Sequence, residues 1–503
     1  INLQINMNIT PTNINTYSPN EILNNFANIF EKSRSINDLV SIKNGLNLSV
    51  DVDLQRFNDE QKSTFHYFLA NGWSYVLQLK YPNSYEVPIS SKEFEKQVYH
   101  LRCALQLIGK REDINVCQIL TNLGCAFDHI GRFSEAQDYF NKALLINPNF
   151  GMALGNKGLG LYRYAREVFD GVHQFIFLQY ARKHLLEACD KKDVYEEARS
   201  GFNSLAEHIA TRYPLKDLND FKQYDDFFHG LSTDEIDYRQ WCIDNVLFLN
   251  PLNDVIAQNV VAHDILHTPT MVLKREEKPI CQSMYNQMKQ EFVSARFLFY
   301  EGVNTDKPHY SDRDVVLYTA FDCPVYAISI EKIKISFRVC YSIFDKIAYL
   351  MNIYLNLGID KNRVSFRNIW HKRGNRNNPI NEEMFTSQNL ALQGLFWLSK
   401  DLDEGVDSPI EPEAKEIAIM RNFMEHKSFK IVEGKNICWN ESPETYEIER
   451  LDFYDKAFKI LKLTRSALIY LSSLIYEEES FRKPLEGLTK TIDMPIINDN
   501  SKI

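Results

Sequence analysis

Three residues in the last fifth of the chain could act together on a phosphodiester: Arg421, Asn422 and His426. A guanidinium keeps its positive charge and can grip two phosphate oxygens at once. An imidazole can accept or return a proton near neutral pH. The side chain of Asn422 could orient either the imidazole or the phosphate. These residue types at this spacing point to chemistry on a nucleic-acid backbone.

The segment 411–429 that carries these residues has the pattern of a helix. Pro412 occupies a first-turn position, and acidic residues surround it, as the helix dipole favours. Apolar residues then recur at three- and four-residue spacing: Ala414, Ile417, Met420 and Phe423 or Met424. On an ideal helix Arg421 and His426 point about 140° apart, whereas Asn422 and His426 share a face. Arg421 and His426 therefore converge only if the arginine reaches round the helix or a second copy completes the site.

Two simpler interpretations of the spacing stay open. Arg421 could pair with Glu425 one turn later, with His426 placed at the helix end where positive charge is favourable. The same kind of spacing also occurs at Arg166 and His173, among aromatic residues of a repeat region. We interpret that second match as packing and surface.

A segment near the motif is strongly basic. Residues 361–376 hold six positive charges and no acidic residue, in a chain whose net charge is −10. The cations are Lys361, Arg363, Arg367, Lys372, Arg373 and Arg376, with Phe366 and Trp370 between them. Cations that contact phosphates beside aromatic rings that stack on bases suit single-stranded RNA. Alternatively, the segment is a solvated loop that Phe366 and Trp370 anchor to the core.

Composition sets wider limits on the function. A chain of 503 residues with 44% hydrophobic and 25% charged residues is long enough for two to four globular domains. The acidic net charge argues against a broadly basic nucleic-acid-binding surface, so RNA contacts should be local. Nine scattered cysteines without a C-x-x-C pair are typical of free thiols in a reducing compartment. No apolar run or targeting signal suggests a membrane, so we expect a cytoplasmic location.

Residues 116–150 resemble a tetratricopeptide repeat. Small residues at Gly124 and Ala136 allow two helices to approach closely, and Phe127 and Phe140 fill the seam between them. Pro148 ends the second helix. Degenerate copies flank this repeat, and the alternative is a non-repeat helical hairpin. Such an array provides a surface for a peptide, a protein or the chain's other domain, and the sequence does not choose among them.

Two further motifs lie between the repeat and the basic segment. His263 and His267 stand at i,i+4, a possible metal-ligand spacing on a helix, although no third ligand is indicated. The run Leu249–Asp254 predicts a turn whose Asx side chains cap the next helix, and we interpret it as a hinge or brace between domains. We expect no metal and no cofactor at the main site.

The R-N-x-x-x-H motif from Arg421 to His426, late in a helical C-terminal region behind tetratricopeptide-like helices, resembles the HEPN superfamily. Many HEPN proteins are metal-independent ribonucleases of toxin, antiphage and CRISPR systems. The resemblance implies an all-α fold, with a TPR-like helical-hairpin array followed by an up-and-down helical bundle. Helical periodicity places bundle helices at 285–303, 329–357, 382–402 and 446–480 around the motif helix.

The resemblance also implies a function and a division of the chain. Two HEPN bundles would pair as a homodimer, bring both motifs to one groove and cleave RNA by attack of the ribose 2′-hydroxyl. The alternative is a non-catalytic scaffold with an inactive bundle. We expect five regions, namely an arm and first helix, a TPR-like repeat domain, a connector or brace, a HEPN-like bundle and a tail. Their bounds are 1–50, 51–230, 231–280, 281–482 and 483–503.

Overall fold

The computed structural model describes residues 10–83, 87–109, 111, 113–221, 228–305, 307–318, 324–385, 389–402, 410–434, 443–482, 489–491, 496–499 and 502. Within these ranges the chain forms sixteen α-helices and two small sheets. The expected all-α fold class is therefore confirmed. Residues 1–9 of the expected N-terminal arm, and most of the expected tail at 483–503, lie outside the described residues.

The helices of the first half follow one another with short connections. They are α1 Pro19–Ser35, α2 Leu39–Leu48, α3 Asp59–Lys80, α4 Lys92–Ile108, α5 Ile114–His129, α6 Phe133–Ile146, α7 Gly151–Glu167, α8 Gly171–Cys189, α9 Glu196–Ala210 and α10 Leu215–Leu218. Side-chain caps define several of these starts. Ser18 and Asn58, for example, each form a capping box with the residue three positions on.

The second half contains the three longest helices, α12, α13 and α16, and the four strands of the described residues. The helices are α11 Thr233–Asp244, α12 Ile280–Val303, α13 Ile328–Tyr354, α14 Leu390–Ser399, α15 Ala414–His426 and α16 Arg450–Phe481. The strands are β1 Val272–Lys274, β2 Ser428–Val432, β3 Thr445–Glu449 and β4 Thr489–Thr491. No described helix combines the length and apolar character needed to cross a membrane.

The chain divides into two compact units that are interleaved along the sequence. The first unit consists of Ile1–Arg163, Leu178–Asp220 and Ser399–Ala418. The second consists of Tyr164–Phe177, Phe221–Leu398 and Ile419–Ile503. The division of the chain into five contiguous regions, expected from the sequence, stays a prediction.

The α5–α6 hairpin of the first unit has the close packing that its sequence predicts. A Cβ atom added at Gly124 would lie 2.5 Å from the ring of Phe140, so only glycine lets the two helices approach this closely. Phe127, Ala136 and Phe140 are buried at the seam. Helix α6 ends at Ile146, just before Pro148. The hairpin is therefore built as a tetratricopeptide repeat requires.

A buried charge cluster ties Asp401 and Glu411 to Arg102 and Arg132 within the first unit. Arg102 donates two hydrogen bonds to the Asp401 carboxylate, at 2.6 and 2.9 Å, and Arg132 donates a third at 2.6 Å. Glu411 lies 3.2 Å from Arg102. Burial by itself would raise the pKa of Asp401, but the charges of Arg102 and Arg132 lower it well below its ordinary value. Asp401 is therefore charged at neutral pH and pairs with both arginines.

The bundle of the second unit is built on α12, α13 and α16. The Tyr285 hydroxyl on α12 donates to the carbonyl of Leu468 on α16, at 3.1 Å. Two predicted helices begin later than expected. The one expected at 382–402 is a short 3₁₀ turn, Glu382–Phe385, followed by α14. The one expected at 446–480 begins only at Arg450, because the preceding residues form β3.

Two short sheets in the second unit were not predicted. Strands β2 and β3 pair in parallel, with Ser428 opposite Thr445 and Val432 opposite Glu449. Strands β1 and β4 pair antiparallel. The motif helix was expected to reach residue 429, but α15 ends at His426 because β2 begins two residues later.

The Leu249–Asp254 run forms a turn that is tied to α16. Asn250 caps the 3₁₀ turn Pro251–Asp254 within the run itself, and not a following α-helix as expected, because the next α-helix begins only at Ile280. The Asn250 side chain accepts from the backbone N–H of Leu252, at 3.1 Å. Arg465 of α16 pairs with Asp254 at 2.7 Å and donates to the carbonyl of Phe248 at 2.7 Å. These groups are buried, so the run braces the bundle of the second unit.

Candidate active site

Helix α15 presents its motif residues on two different faces. Arg421 and Glu425, four residues apart, line the same cavity. Asn422 and His426, also four residues apart, are exposed, and His426 is the last residue of the helix. The separation expected from helical geometry is therefore present in a single copy of the chain.

A cavity of about 370 Å³ lies beside the arginine face of α15. We call it the Tyr341 cavity. Its lining residues come mainly from α13 and α15: Met284, Arg338, Tyr341, Ser342, Asp345, Lys346, Tyr349, Val364, Arg421 and Glu425. Both cationic and anionic side chains reach its wall, together with two tyrosine rings.

Arg421 lies against an aromatic ring rather than a carboxylate. Its guanidinium carbon is 5.3 Å from the centre of the Tyr341 ring, a cation–π contact, and Nη1 donates a long 3.5 Å hydrogen bond to Asn422 Oδ1. In the part of the chain that the structure describes, Arg421 and Glu425 form no ion pair. The interpretation of Arg421 as half of a helix-surface salt bridge is therefore not supported, and its charge is available to a phosphate.

The basic segment meets the same cavity. The backbone N–H of Phe366 donates to Asp345 at 2.9 Å, and Val364 lines the cavity. Arg367 Nη2 donates to the Tyr341 hydroxyl at 3.5 Å. Burial raises the pKa of Tyr341 above its ordinary value, against the opposing charges of Arg367 and Arg421. Two features that the sequence suggested separately, the motif arginine and the basic segment, thus meet at one tyrosine.

One residue of the predicted RNA interface has a different role. Trp370 is 1% exposed, and its Nε1 donates to the carbonyl of Phe366 at 2.6 Å. Its ring packs against those of Phe385 and Phe396. The prediction that Trp370 stacks on RNA is wrong, because the ring is enclosed by the core. The alternative, in which Phe366 and Trp370 anchor the loop, describes the structure.

The cations of the segment differ in accessibility. Four are exposed, namely Lys361, Arg363, Lys372 and Arg373. Arg367 and Arg376 are half-buried. Arg373 adopts a positive φ of 59°, next to Gly374 at 62°. The exposed cations remain available for phosphate contacts, and their role in RNA binding stays a prediction.

Comparison with known families agrees with this architecture. Residues 272–478 match the family described as LA2681-like HEPN, and residues 117–150 match the tetratricopeptide repeat family. The chain has a TPR–HEPN architecture. The resemblance drawn from the sequence is thereby confirmed, and the HEPN match includes the Tyr341 cavity, the basic segment and α15. No curated protein and no solved structure gave a match.

The second histidine motif of the sequence does not form a helical metal site. Residues 262–271, just before the HEPN domain, are irregular, so His263 and His267 do not have helical i,i+4 geometry. Asp264 pairs with Arg296 at 2.8 Å, and the His267 ring contacts that of Phe169. Among the described residues no three His, Cys, Asp or Glu side chains cluster as metal ligands would.

The second arginine–histidine spacing is also consistent with packing and surface. Arg166 is exposed on α7, whereas His173 is half-buried near the start of α8. Burial lowers the pKa of His173 below its ordinary value, against the opposing charge of Asp170.

Sequence reasoning missed the α13 wall of the cavity in the HEPN domain. Its residues recur at helical spacing along one stripe: Arg338, Tyr341, Ser342, Asp345, Lys346 and Tyr349. The helical periodicity of residues 329–357 predicts a bundle helix, but the sequence alone assigned no role to this polar stripe. The signal that could have indicated this wall is the polar and aromatic stripe that runs along α13 beside its apolar stripe.

Proposed function

We propose that this protein is a metal-independent endoribonuclease that cuts RNA at its HEPN domain. The HEPN match supports a nuclease role in general. The observation that carries the proposal is the position of Arg421, which pairs with no carboxylate of the described residues and lies over Tyr341, where the basic segment also arrives. A cation held ready in this way can stabilise charge that builds on a phosphate.

His426 would move the proton. It takes the proton of a ribose 2′-hydroxyl, and the 2′-oxygen then attacks the adjacent phosphorus while the bond to the 5′-oxygen breaks. The leaving 5′-oxygen receives a proton in turn. Arg421 stabilises the negative charge on the phosphate oxygens, and Asn422 orients His426 or the phosphate. The products are a 2′,3′-cyclic phosphate and a 5′-hydroxyl, and DNA is spared because it lacks the attacking group.

Two copies of the chain would form the complete site. In one copy Arg421 lines the Tyr341 cavity, whereas His426 is exposed at the end of α15 on another face. A twofold dimer can supply Arg421 from one copy and His426 from the other to the same phosphate. The exposed cations of the basic segment, such as Lys361 and Arg363, would then hold the flanking RNA.

The TPR region would regulate the nuclease through a bound protein or peptide. A cavity of about 460 Å³ in the first unit supports a ligand there. Its lining includes Tyr67, Asn71, Tyr75, Asn122 and Tyr195. Neutral amides beside tyrosine rings suit a peptide backbone and its side chains. We place the protein in the bacterial cytoplasm as an antiphage or toxin effector that stays silent until it is triggered.

A second candidate function is a non-catalytic scaffold that binds a partner through the TPR region. The separation of Arg421 from His426 within one copy favours it if no dimer forms. A stable partner in a pull-down, together with growth unaffected by overexpression, would support the scaffold.

The experiment that tests the nuclease is cleavage of RNA in the presence of EDTA. We expect the wild-type protein to cut and the variants Arg421→Ala and His426→Ala to lose at least about a hundredfold in rate. Arg166→Ala, at the second arginine–histidine spacing, is the matched control and should cut normally. Equal cutting by all four proteins would show that the activity comes from elsewhere.

A further inference from the structure

The Tyr341 cavity is lined by groups of both charges, which is unlike a simple phosphate site. Of its cations, Lys346 is already neutralised by Glu291, whose oxygens lie 2.5 Å from its Nζ. Asp345 and Glu425 add carboxylates to the wall. A phosphate deep in this cavity would meet two carboxylates, which repel it. A neutral ligand with both donors and acceptors fits the wall better.

Arg338, like Arg421, is an available donor in the cavity wall. It is half-buried, and no residue of the described chain pairs with its side chain. An arginine fork matches two adjacent acceptors on one edge of a ligand, and the commonest such partner in nucleic acids is the O6/N7 edge of guanine. Adenine presents a donor beside N7, and the pyrimidines have no N7.

Asp345 is the acceptor available at the other end of the same stripe. Its Oδ1 accepts from the backbone of Phe366, while its Oδ2 has no partner among the described residues. A carboxylate oxygen accepts from N–H groups such as N1–H and the N2 amino group of guanine. Asp345 stands seven residues after Arg338, two turns or about 10.5 Å along α13. That span leaves room for one base with a hydrogen bond at each side.

The lining between these two residues suits a flat ring. Tyr341 and Ser342 lie between Arg338 and Asp345 on the stripe, and Tyr349 follows. A volume of about 370 Å³ is in the range of pockets that hold a small ligand such as one nucleoside. Proteins read RNA sequence mostly on unpaired bases that leave the stack for such pockets.

We propose that the Tyr341 cavity is a base-reading pocket that holds the guanine of an unpaired nucleotide beside the bond to be cut. Arg338 binds O6 and N7, and Asp345 binds N1–H and the N2 amino group. Arg421, which also lines the cavity, is then close to the phosphate of that nucleotide. This specificity rests on the proposed ribonuclease function and gives its substrate class, single-stranded RNA with a guanine at a fixed position.

The test measures binding rather than cleavage, with the His426→Ala protein. The ligands are five-nucleotide uridine RNAs whose central base is guanine, adenine, cytosine or uracil. We expect guanine to bind at least about tenfold more tightly than the others. Two analogues separate the contacts: inosine lacks the N2 amino group, and 7-deazaguanine lacks N7.

Each analogue is paired with one protein change. The RNA with inosine should bind the parent protein more weakly than the RNA with guanine. The two RNAs should bind with equal affinity to the variant that also carries Asp345→Asn, whose side-chain oxygen can still accept from the backbone N–H of Phe366. Likewise, 7-deazaguanine should lose affinity for the parent but not for the Arg338→Met variant. Asp360→Asn, at an exposed carboxylate just before the basic segment and outside the cavity, is the matched control and should keep the full preference.

The outcomes separate this pocket from the nuclease. Equal affinity for all four bases, or a guanine preference that survives both Asp345→Asn and Arg338→Met, overturns the pocket. Cleavage by the wild-type protein without guanine at a fixed position also overturns the pocket and leaves the nuclease standing. Guanine-selective binding by a protein that never cuts RNA supports the pocket and refutes the nuclease.

Discussion

Mixed dimers of two inactive variants test whether the site is shared between copies. Arg421 and His426 lie on different faces of α15, about 140° apart for five residues of helix. The proposed dimer therefore has two equivalent sites, each with Arg421 from one copy and His426 from the other. We consider one copy that carries Arg421→Ala and another that carries His426→Ala.

The expected activity of the mixed dimer follows from the number of complete sites that it contains. In a mixed dimer one site loses both groups, and the other keeps both. A purified mixed dimer should therefore have about half of the wild-type activity, and a random mixture about a quarter. Each variant alone should lose about a hundredfold or more, because neither of its sites is complete.

The assay uses co-expressed copies with two different tags, purified in sequence so that only mixed dimers remain. A second pairing serves as the control: a wild-type copy with a copy that carries both Arg421→Ala and His426→Ala. Shared sites predict that this control is inactive, because each of its sites lacks one group. An inactive dimer of the two single variants with an active control would show instead that each copy cuts by itself.

Two further predictions concern the charges. Asp401→Asn removes the carboxylate that Arg102 and Arg132 share, and leaves only Glu411 beside Arg102 and Glu135 beside Arg132. It should lower the free energy of unfolding of the first unit by about 3 kcal/mol, measured by urea denaturation at pH 7. Because folding lowers the pKa of Asp401, its contribution to the free energy of unfolding is complete above the unfolded pKa of about 3.9 and is lost as the pH falls below that value. A difference in unfolding free energy between wild type and Asp401→Asn that stays the same down to pH 2 would contradict this reasoning. Lys361→Gln should weaken RNA binding and reduce the slope of log affinity against log salt by about 0.7, as for one phosphate contact of a single strand. An unchanged slope in a binding titration would remove Lys361 from the interface.

The helices could be predicted well from the sequence because their signals are local. The apolar spacing of α15 and α13, and the close-packing residues Gly124 and Ala136, each determine structure within a few turns. The two faces of α15 also followed from helical geometry alone. Helix α15 is shorter than expected because β2 follows it, and β2 pairs with β3 across residues that are distant in sequence.

The candidate site could be predicted only in part. The motif indicated Arg421, Asn422 and His426, but nothing local showed that Arg421 faces Tyr341. An aromatic residue in a basic segment looks the same in the sequence whether its ring stacks on RNA or anchors the loop. Only the burial of Trp370 in the structure assigns it to the core. Tertiary packing determines both the contact of Arg421 with Tyr341 and the burial of Trp370, and sequence periodicity carries no information about it.

The most direct test of the central claim uses an RNA with a single 2′-deoxynucleotide at a mapped cleavage position. In EDTA the all-ribose RNA should be cut there, leaving a 2′,3′-cyclic phosphate, and the RNA with the 2′-deoxynucleotide should stay intact at that position. Cleavage of both RNAs at the same rate, or cleavage that requires added divalent metal, would contradict a 2′-hydroxyl attack assisted by Arg421 and His426.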